Sequence, residues 1–409
     1  MSSGTSGSYW ADKALPSVFK HELLKGYLAQ FGGMTGSRAR DKRVVYLDGY
    51  AGEGRYENGE PASAEIALQI AAHHRAHGLT MECFFAESDA KSYGRLLDVV
   101  RQYSARGVLA RHYQGEIDDA LDSLVRHAER APLFLFLDPC GLTLPLERLV
   151  DVLARQRPRH QKWPPTELLM NFSMMAVWRL GGHVRSPKGN EKSLQRFDAV
   201  CGGPWWRTYF ADAAATPDKE AVAQDAIDAV AAEYARRLER HTGMLVQSVP
   251  VAHSPRKRAV YRLVFATRSQ YGLWVFGDNV ARARDAWWTT LDAQEEESTG
   301  QISLVPHRPD PAEVTARAVP EIAANLEKLL ARTRRPVRLV DHTLEVFGDY
   351  YGQVPEATAR TAVQFLHERG KIAPNGVGSR RVREITVSPS PAISLSKSER
   401  DQTPLTAPG

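Results

Sequence analysis

Apolar positions along the first 175 or so residues alternate between a helical and a strand-like period. In KALPSVFKHELLKGYLAQF (13–31), Leu15, Phe19, Leu23, Leu24, Tyr27, Leu28 and Phe31 fall on one helical face. VVYLD (44–48) is a run of the fully buried strand type. PASAEIALQIAAHHRAHG (61–78) predicts a helix that opens on proline and stops at glycine. ECFFAESD (82–89) is the next strand, and a helix carrying Leu96, Leu97 and Val100 follows it. VLARHYQGE (108–116) predicts a weaker strand leading into the helix IDDALDSLVRHA. PLFLFLDPCG (132–141) is the most apolar strand, LERLVDVLARQ a helix, and ELLMNFS (167–173) a fifth strand. Short apolar strands separated by helices indicate a parallel sheet covered on both faces, so a doubly wound α/β domain is expected.

Residues 174–250 read as a largely helical insertion that includes KEAVAQDAIDAVAAEYARRLERHTG. AVYRLVFATRS (259–269) returns as a late strand of the same sheet, with the helix-like WVFGDNVARARDAWW behind it, so the first domain is expected to span 1–300. After a helix over about 311–332, LVDHTLEVFGDYYG and PEATARTAVQFLHERGKI predict a helix pair. SRRVREITV then ends a β-ribbon after the turn APNGVG, and the whole of 305–388 reads as a winged helix. Its shared core is expected from Leu326, Leu329, Leu330, Leu344, Val346, Phe347, Ala362, Val363, Phe365 and Leu366. The Ser- and Pro-rich tail 389–409 is expected to be disordered.

Composition narrows the class. Hydrophobic residues at 43% and charged residues at 25% suit a globular protein with a full core. A net charge of +5 permits an acidic partner such as nucleic acid without demanding one, because 53 cations stand against 48 anions. Cys83, Cys140 and Cys201 lie far apart, which indicates neither a disulfide framework nor a zinc site. No apolar stretch approaches the roughly 20 residues of a membrane span, and the start MSSGTSGSYW lacks the regions of a signal peptide. A cytoplasmic protein without membrane contact is expected.

The candidate chemistry lies at the strand ends. Open parallel sheets bind ligands beyond the carboxyl ends of their strands, where strand order reverses. Asp48, Gly52 and Gly54 follow the first strand in LDGYAGEG, either as a ligand loop or as a tight strand-to-helix turn. A dinucleotide fingerprint needs a third glycine where Glu57 stands, and Asp48 and Glu53 would repel a pyrophosphate. A mononucleoside cofactor bearing positive charge suits the loop better. Glu87 ends the second strand, where a carboxylate can hold both ribose hydroxyls. Gln114, Gly115 and Glu116 follow the third strand, and Asp138-Pro139-Cys140-Gly141 the fourth. Four carboxylates on one rim favour a nucleoside-type site over chance.

D-G-Y-A-G-E-G (48–54) resembles the D-x-F-x-G-x-G motif of class I S-adenosylmethionine-dependent methyltransferases, and D-P-C-G (138–141) resembles their D-P-P-Y type motif. More closely, the pattern is similar to the three-Cys-motif partner family. The matching stretches are W-A-D-K, K-H-E-L-L-K-G-Y-L, Y-L-D-G-Y-A-G-E-G, F-F-A-E-S-D, F-L-D-P-C-G and Y-R-L-V-F-A-T-R-S, over residues 10–269. That resemblance implies a Rossmann-like methyltransferase sheet, S-adenosylmethionine as cofactor and a neighbouring radical-SAM-like protein with three cysteines as partner. The scattered cysteines of this chain are not that motif. It further implies that Asp48, Tyr50, Gly52 and Gly54 line the methionine and ribose parts of the cofactor. Glu87 would bind the ribose hydroxyls, Glu116 would lie near adenine, and Asp138 and Pro139 would face the methyl acceptor. Cys140 and Gly141 depart from D-P-P-Y and remove the aromatic on which a flipped base stacks, weakening the case for methylation of a base amine. A catalytically degenerate fold serving as a binding or regulatory partner is the competing expectation.

Other residues allow two readings. Arg256, Lys257 and Arg258, and Arg380, Arg381 and Arg383 in the wing, suit phosphate contacts or solvated strand edges. His73, His74 and His77 are expected on a helix surface without metal. Trp205, Trp206, Trp287 and Trp288 are expected in cores or interfaces. Asn171 and Ser173 end the fifth strand as rim residues or caps.

Overall fold

The computed structural model describes residues 14–390, apart from 159, 187, 214–218, 300–307 and 374–380. The stretch W-A-D-K, the wing turn with Arg380, and nearly all of the tail lie outside the described residues. The chain packs as two units, Met1–Ser269 and Gln270–Gly409.

The first unit is built on a seven-stranded sheet of order β3-β2-β1-β4-β5-β7-β6. Its elements run α1 (Leu15–Gly36), β1 (Arg43–Asp48), α2 (Ser63–Ala76), β2 (Thr80–Glu87), α3 (Ala90–Ser104), β3 (Ala110–Gln114), α4 (Ile117–His127), β4 (Leu133–Leu137) and α5 (Leu146–Val150). A π-helical turn (Asp151–Gln156) extends α5 before β5 (Thr166–Ser173), α6 (Met174–Arg185), α7 (Glu191–Cys201), α8 (Trp206–Ala213), α9 (Lys219–Thr242), β6 (Leu245–Ala252) and β7 (Ala259–Thr267). The first five strands pair in parallel, while β7 runs antiparallel to both β5 and β6. This is the strand arrangement typical of a class I methyltransferase fold. Strand order reverses between β1 and β4, so the ligand crevice is expected where Asp48 and Asp138 end neighbouring strands.

The helical insertion is shorter than 174–250: α6 to α9 fill its larger part, and its end is the edge strand β6. The apolar positions of β6 alternate only weakly and Pro250 interrupts it, which an edge strand tolerates. β1, β2 and β4 are buried along nearly their whole length, as strands covered by helices on both faces must be. Over one face, Tyr27 and Phe31 of α1 pack on Phe134, and Tyr27 meets Phe265 edge-on at 5.0 Å. His74 departs from the expected surface position. It is buried, and a Cβ on Gly32 of α1 would stand 2.6 Å from its Nε2, so the two helices meet where glycine leaves room.

One buried acid belongs to this packing and not to the rim. Glu167 in β5 accepts hydrogen bonds from Tyr27 Oη (2.6 Å) and Thr267 Oγ1 (2.7 Å), and burial pushes its carboxyl up to about 7 against those two bonds. The folded chain therefore holds a proton that the unfolded chain releases between about pH 4.5 and 7, and stability falls as pH rises through that window. Glutamine satisfies the same two hydroxyls without ionising. Glu167→Gln should match the wild type near pH 4.5 and exceed it by about 3 kcal/mol at pH 8 in urea unfolding. Asp48 titrates in the same window, so the difference between the two proteins is the quantity to read.

The second unit comprises α10 (Gln270–Thr299), α11 (Pro311–Thr333), β8 (Val337–Arg338), α12 (Thr343–Phe347), α13 (Ala357–Glu368), β9 (Ile372–Ala373) and β10 (Thr386–Pro389). Its strands form a small antiparallel sheet of order β8-β10-β9. Most of the expected core residues are buried together, but Leu344 is exposed and Phe365 only packs at the edge. The reason is local. LVDHTLEVFGDYYG forms short 3-10 and α segments in place of one helix, and Gly348 at φ 51° ends α12. Trp274 of α10 meets Phe347 edge-on at 4.9 Å and donates from Nε1 to Glu356. α10 is therefore part of this core, and the division of the chain falls after Ser269 and not near residue 300.

Candidate functional site

The loop after β1 is shaped by two carboxylates. Asp48 is fully buried: its Oδ1 accepts from the Tyr50 amide (3.1 Å), and its Oδ2 from Ser63 Oγ (2.8 Å) and Tyr46 Oη (3.3 Å). It thereby ties the strand end, the loop and the start of α2 together. Burial raises its carboxyl to about 7 against these hydrogen bonds. Gly52 and Gly54 stand at φ 61° and 79°, a region costly for other residues, and a Cβ on Gly54 would press Leu96 at 3.3 Å. The loop folds back over β2 through the Ala51 amide, which donates to the Ala86 carbonyl (2.9 Å).

Glu87 stands at the rim itself. Its Oε2 accepts from the Gly52 amide (2.8 Å) and its Oε1 from the Asp89 amide (2.7 Å), while burial raises its carboxyl above the usual range. The two backbone donors fix the carboxylate plane and still leave lone pairs on both oxygens. Glu53 turns inward to an ion pair with Arg95 and does not face the crevice. Tyr50 is half-buried, and its phenol is raised by burial, then by the charges of Glu116 and Asp118. Glu116 is exposed at the N-cap position of α4 and makes no capping hydrogen bond there.

The far side of the crevice holds a residue that periodicity did not single out. Lys20 of α1 is buried and forms an ion pair with Asp138 Oδ2, while Asn171 Nδ2 donates to Asp138 Oδ1 (2.9 Å). Each oxygen of the Asp138 carboxylate thus has one donor and, as at Glu87, a further lone pair. An all-apolar helix face contains no hint of Lys20. Lys20 and His21 both prove buried, and nothing local sets Lys20 apart from Glu22 and Lys25 of the same helix. Pro139 is buried after β4, whereas Cys140 is exposed at the surface, its thiol raised to about 11 by the crowding of atoms around it and then by the Asp138 charge. A thiol held protonated at neutral pH suits a small turn residue and not a nucleophile. Among the described residues no group of His, Cys, Asp and Glu has the arrangement of a metal site. No helix among them is long and apolar enough to cross a membrane.

The structure thus gathers Asp48, Tyr50, Gly52, Gly54 and Glu87 on one loop and strand end. Glu116 stands exposed at the start of α4, after β3, and Asp138 lies across the switch point. The chemistry of this donor set fits a nucleoside bearing a cationic centre: a carboxylate for ribose, while the loop's cation, Arg55, is held in an ion pair with Glu65 and is not left to demand a phosphate.

No family model matches the chain, and no curated protein matches its sequence. The fold is similar to that of an RNA methyltransferase from Salinibacter ruber in complex with S-adenosyl-L-homocysteine, at 16% identity, TM-score 0.21, over 36% of this chain and 74% of that one. It is similar to a precorrin-6y C5,15-methyltransferase from Geobacter metallireducens, at 13% identity, TM-score 0.27, over 58% of this chain and 86% of that one. The S-adenosyl-L-homocysteine-bound methyltransferase PaMTH1 of Podospora anserina is a third, at 15% identity, TM-score 0.27, over 57% of this chain and 76% of that one. These likenesses are distant, and the strand order is what gives this chain its class I methyltransferase-like fold.

Proposed function

We propose that this protein is an S-adenosylmethionine-dependent methyltransferase that works with a radical-SAM-like three-Cys partner protein. The observation that carries the reading is the Glu87 carboxylate, pinned by the Gly52 and Asp89 amides at the strand end that flanks the glycine loop. In this reading Glu87 receives the two ribose hydroxyls, and Tyr50, Gly52 and Gly54 line the cofactor from the loop. Glu116 lies toward adenine. Asp48 acts from below by holding the loop in shape. When bound, the cofactor supplies an activated methyl group, so the protein need only aim an acceptor lone pair and exclude water. Asp138 and Pro139 border the acceptor side, with Lys20 and Asn171 fixing the carboxylate.

Calorimetry with S-adenosylmethionine and S-adenosylhomocysteine tests the reading. Wild-type protein should bind both, and Glu87→Ala should bind about 10- to 100-fold more weakly, the worth of hydrogen bonds to a charged group. No binding by the wild type, or equal binding by the variant, would refute it.

A second reading is a degenerate methyltransferase fold acting as a binding or regulatory partner. It is favoured by Gly141, which presents no aromatic where a flipped base would stack. Incubation with labelled cofactor and candidate RNA, DNA or protein separates the two readings by whether label is transferred. The second unit enters as a docking module in either case. From α11 onward its order of helix, strand, two helices and two strands supports a winged-helix reading, while Arg360 and Arg369 are balanced by Glu356 and Glu368 along α13 and its caps.

A further inference from the structure

On the acceptor side of the site, two buried polar atoms are left without partners. Because the carboxylate of Asp138 can only accept, the Asn171 side chain must turn Nδ2 toward it, which aims Oδ1 the other way. That Oδ1 makes no hydrogen bond, and neither does Thr143 Oγ1, although Asn171 and Thr143 are only 9% and 7% exposed. Both residues line one recess, with about 10 Å³ of space, that is floored by Phe172 and Phe197 and bordered by Gly141 and Ala176. Such a space admits about one water-sized group. A donor of that size, a hydroxyl or an amino group, would satisfy Asn171 Oδ1, an obligate acceptor, and leave Thr143 Oγ1 free to accept or donate.

The rim of this recess is the first turn of α6, which contributes Ala176. On the adjoining face of the same helix Met175 and Trp178 are 47% and 52% exposed, an unusual setting for either side chain. Arg179 is exposed beside them, and the stretch 174–190 contains Arg179, Arg185 and Lys188 but no acid. Among the described residues none of these three cations is paired with a carboxylate. An aromatic face among unpaired cations, one step from a recess for a small donor, suits stacked bases on a phosphate backbone better than a protein surface.

We infer that the acceptor substrate is single-stranded nucleic acid, with a base stacked on Trp178, the backbone drawn to Arg179, and a hydroxyl or amino group entering the recess at Asn171 and Thr143. This rests on the methyltransferase reading for the word substrate, but binding itself does not. The experiment is fluorescence anisotropy of an unstructured RNA of about 20 nucleotides, the DNA of the same sequence, and the duplex. The full-length protein is used across a salt series. Single strands should bind more tightly than duplex, Trp178→Ala should weaken them about 10-fold or more, and Arg179→Glu should flatten the salt dependence. A preference for RNA over DNA assigns the donor to the sugar hydroxyl, and equal binding assigns it to a base amino group. Equal affinity of wild type and Trp178→Ala, a preference for duplex, or label passing to peptides in place of either strand would overturn the inference. Calorimetry with S-adenosylhomocysteine on the same preparations keeps the two ideas apart. Cofactor binding without strand binding removes only this inference, and strand binding without cofactor binding removes only the function.

Discussion

Lys20→Met is expected to cost about 3–5 kcal/mol of folding stability and to abolish any methyl transfer, because it leaves the Asp138 carboxylate without its cation. Side-chain exposure is 4% for Lys20 and 13% for Asp138, so water replaces little of what the ammonium supplied. Methionine keeps the length of the side chain beside the Tyr261 ring, over which the ammonium stands 5.9 Å from the centroid. Packing is then nearly conserved, and the loss reports the charge. Asn171 still donates to Oδ1, but one hydrogen bond from a neutral donor does not replace the buried cation. The double variant Lys20→Met/Asp138→Asn should regain most of the stability, since removing both charges removes the uncompensated one. Urea unfolding of the four proteins in the cycle measures this directly. A loss below about 1 kcal/mol, or additive single effects, would mean that the pair is incidental and that Asp138 is held by something else.

Lys20 also marks where sequence reasoning stopped. The parallel sheet was legible because PLFLFL and VVYL are too short for helices and too apolar for exposed strands, and the acids at their ends stand out against them. Glu87 and Asp138 could be placed for that reason. Whether an acid at a strand end faces outward or inward is a matter of one backbone turn, and no local pattern encodes it. Asp48 turned inward to Ser63 and Tyr46, while Glu87 stayed at the rim. Lys20 reaches Asp138 across more than a hundred positions of sequence, a tertiary contact that no period on α1 can announce. The edge strand β6 escaped because edge strands bury little and its Pro250 reads as a break. His74 and Leu344 depart in opposite directions: His74 is buried because Gly32 of α1 leaves room for it, and Leu344 is exposed because its segment breaks into short 3-10 and α pieces.

The same argument about uncompensated buried groups predicts a large effect at the other end of the sheet. Arg157 is 5% exposed and, among the described residues, forms no ion pair with a carboxylate. Its Nε donates to Thr166 Oγ1 (2.6 Å), its Nη1 to the Ala128 and Glu129 carbonyls (2.6 and 3.2 Å), and its Nη2 to the Ala131 carbonyl (2.8 Å). Burial, and then the nearby Arg268 charge, lower the guanidinium to about 10, so it remains a cation at neutral pH. It therefore caps the carbonyl end of α4, where the helix dipole is negative, and joins that end to the start of β5. Arg157→Met removes those donors: the Ala131 carbonyl loses its partner away from water, at about 1–3 kcal/mol, and the Ala128 carbonyl loses its charged donor and keeps only the Ala131 amide (2.9 Å). A total loss of about 3–5 kcal/mol is expected in urea unfolding. Arg157→Lys should recover little of it, because one ammonium cannot reach oxygens that the planar guanidinium spans from opposite edges. If the lysine variant were as stable as the wild type, the charge alone would be sufficient and the fork geometry would not matter. If the methionine variant were as stable, water must already reach those carbonyls, and the start of β5 would not depend on Arg157 at all.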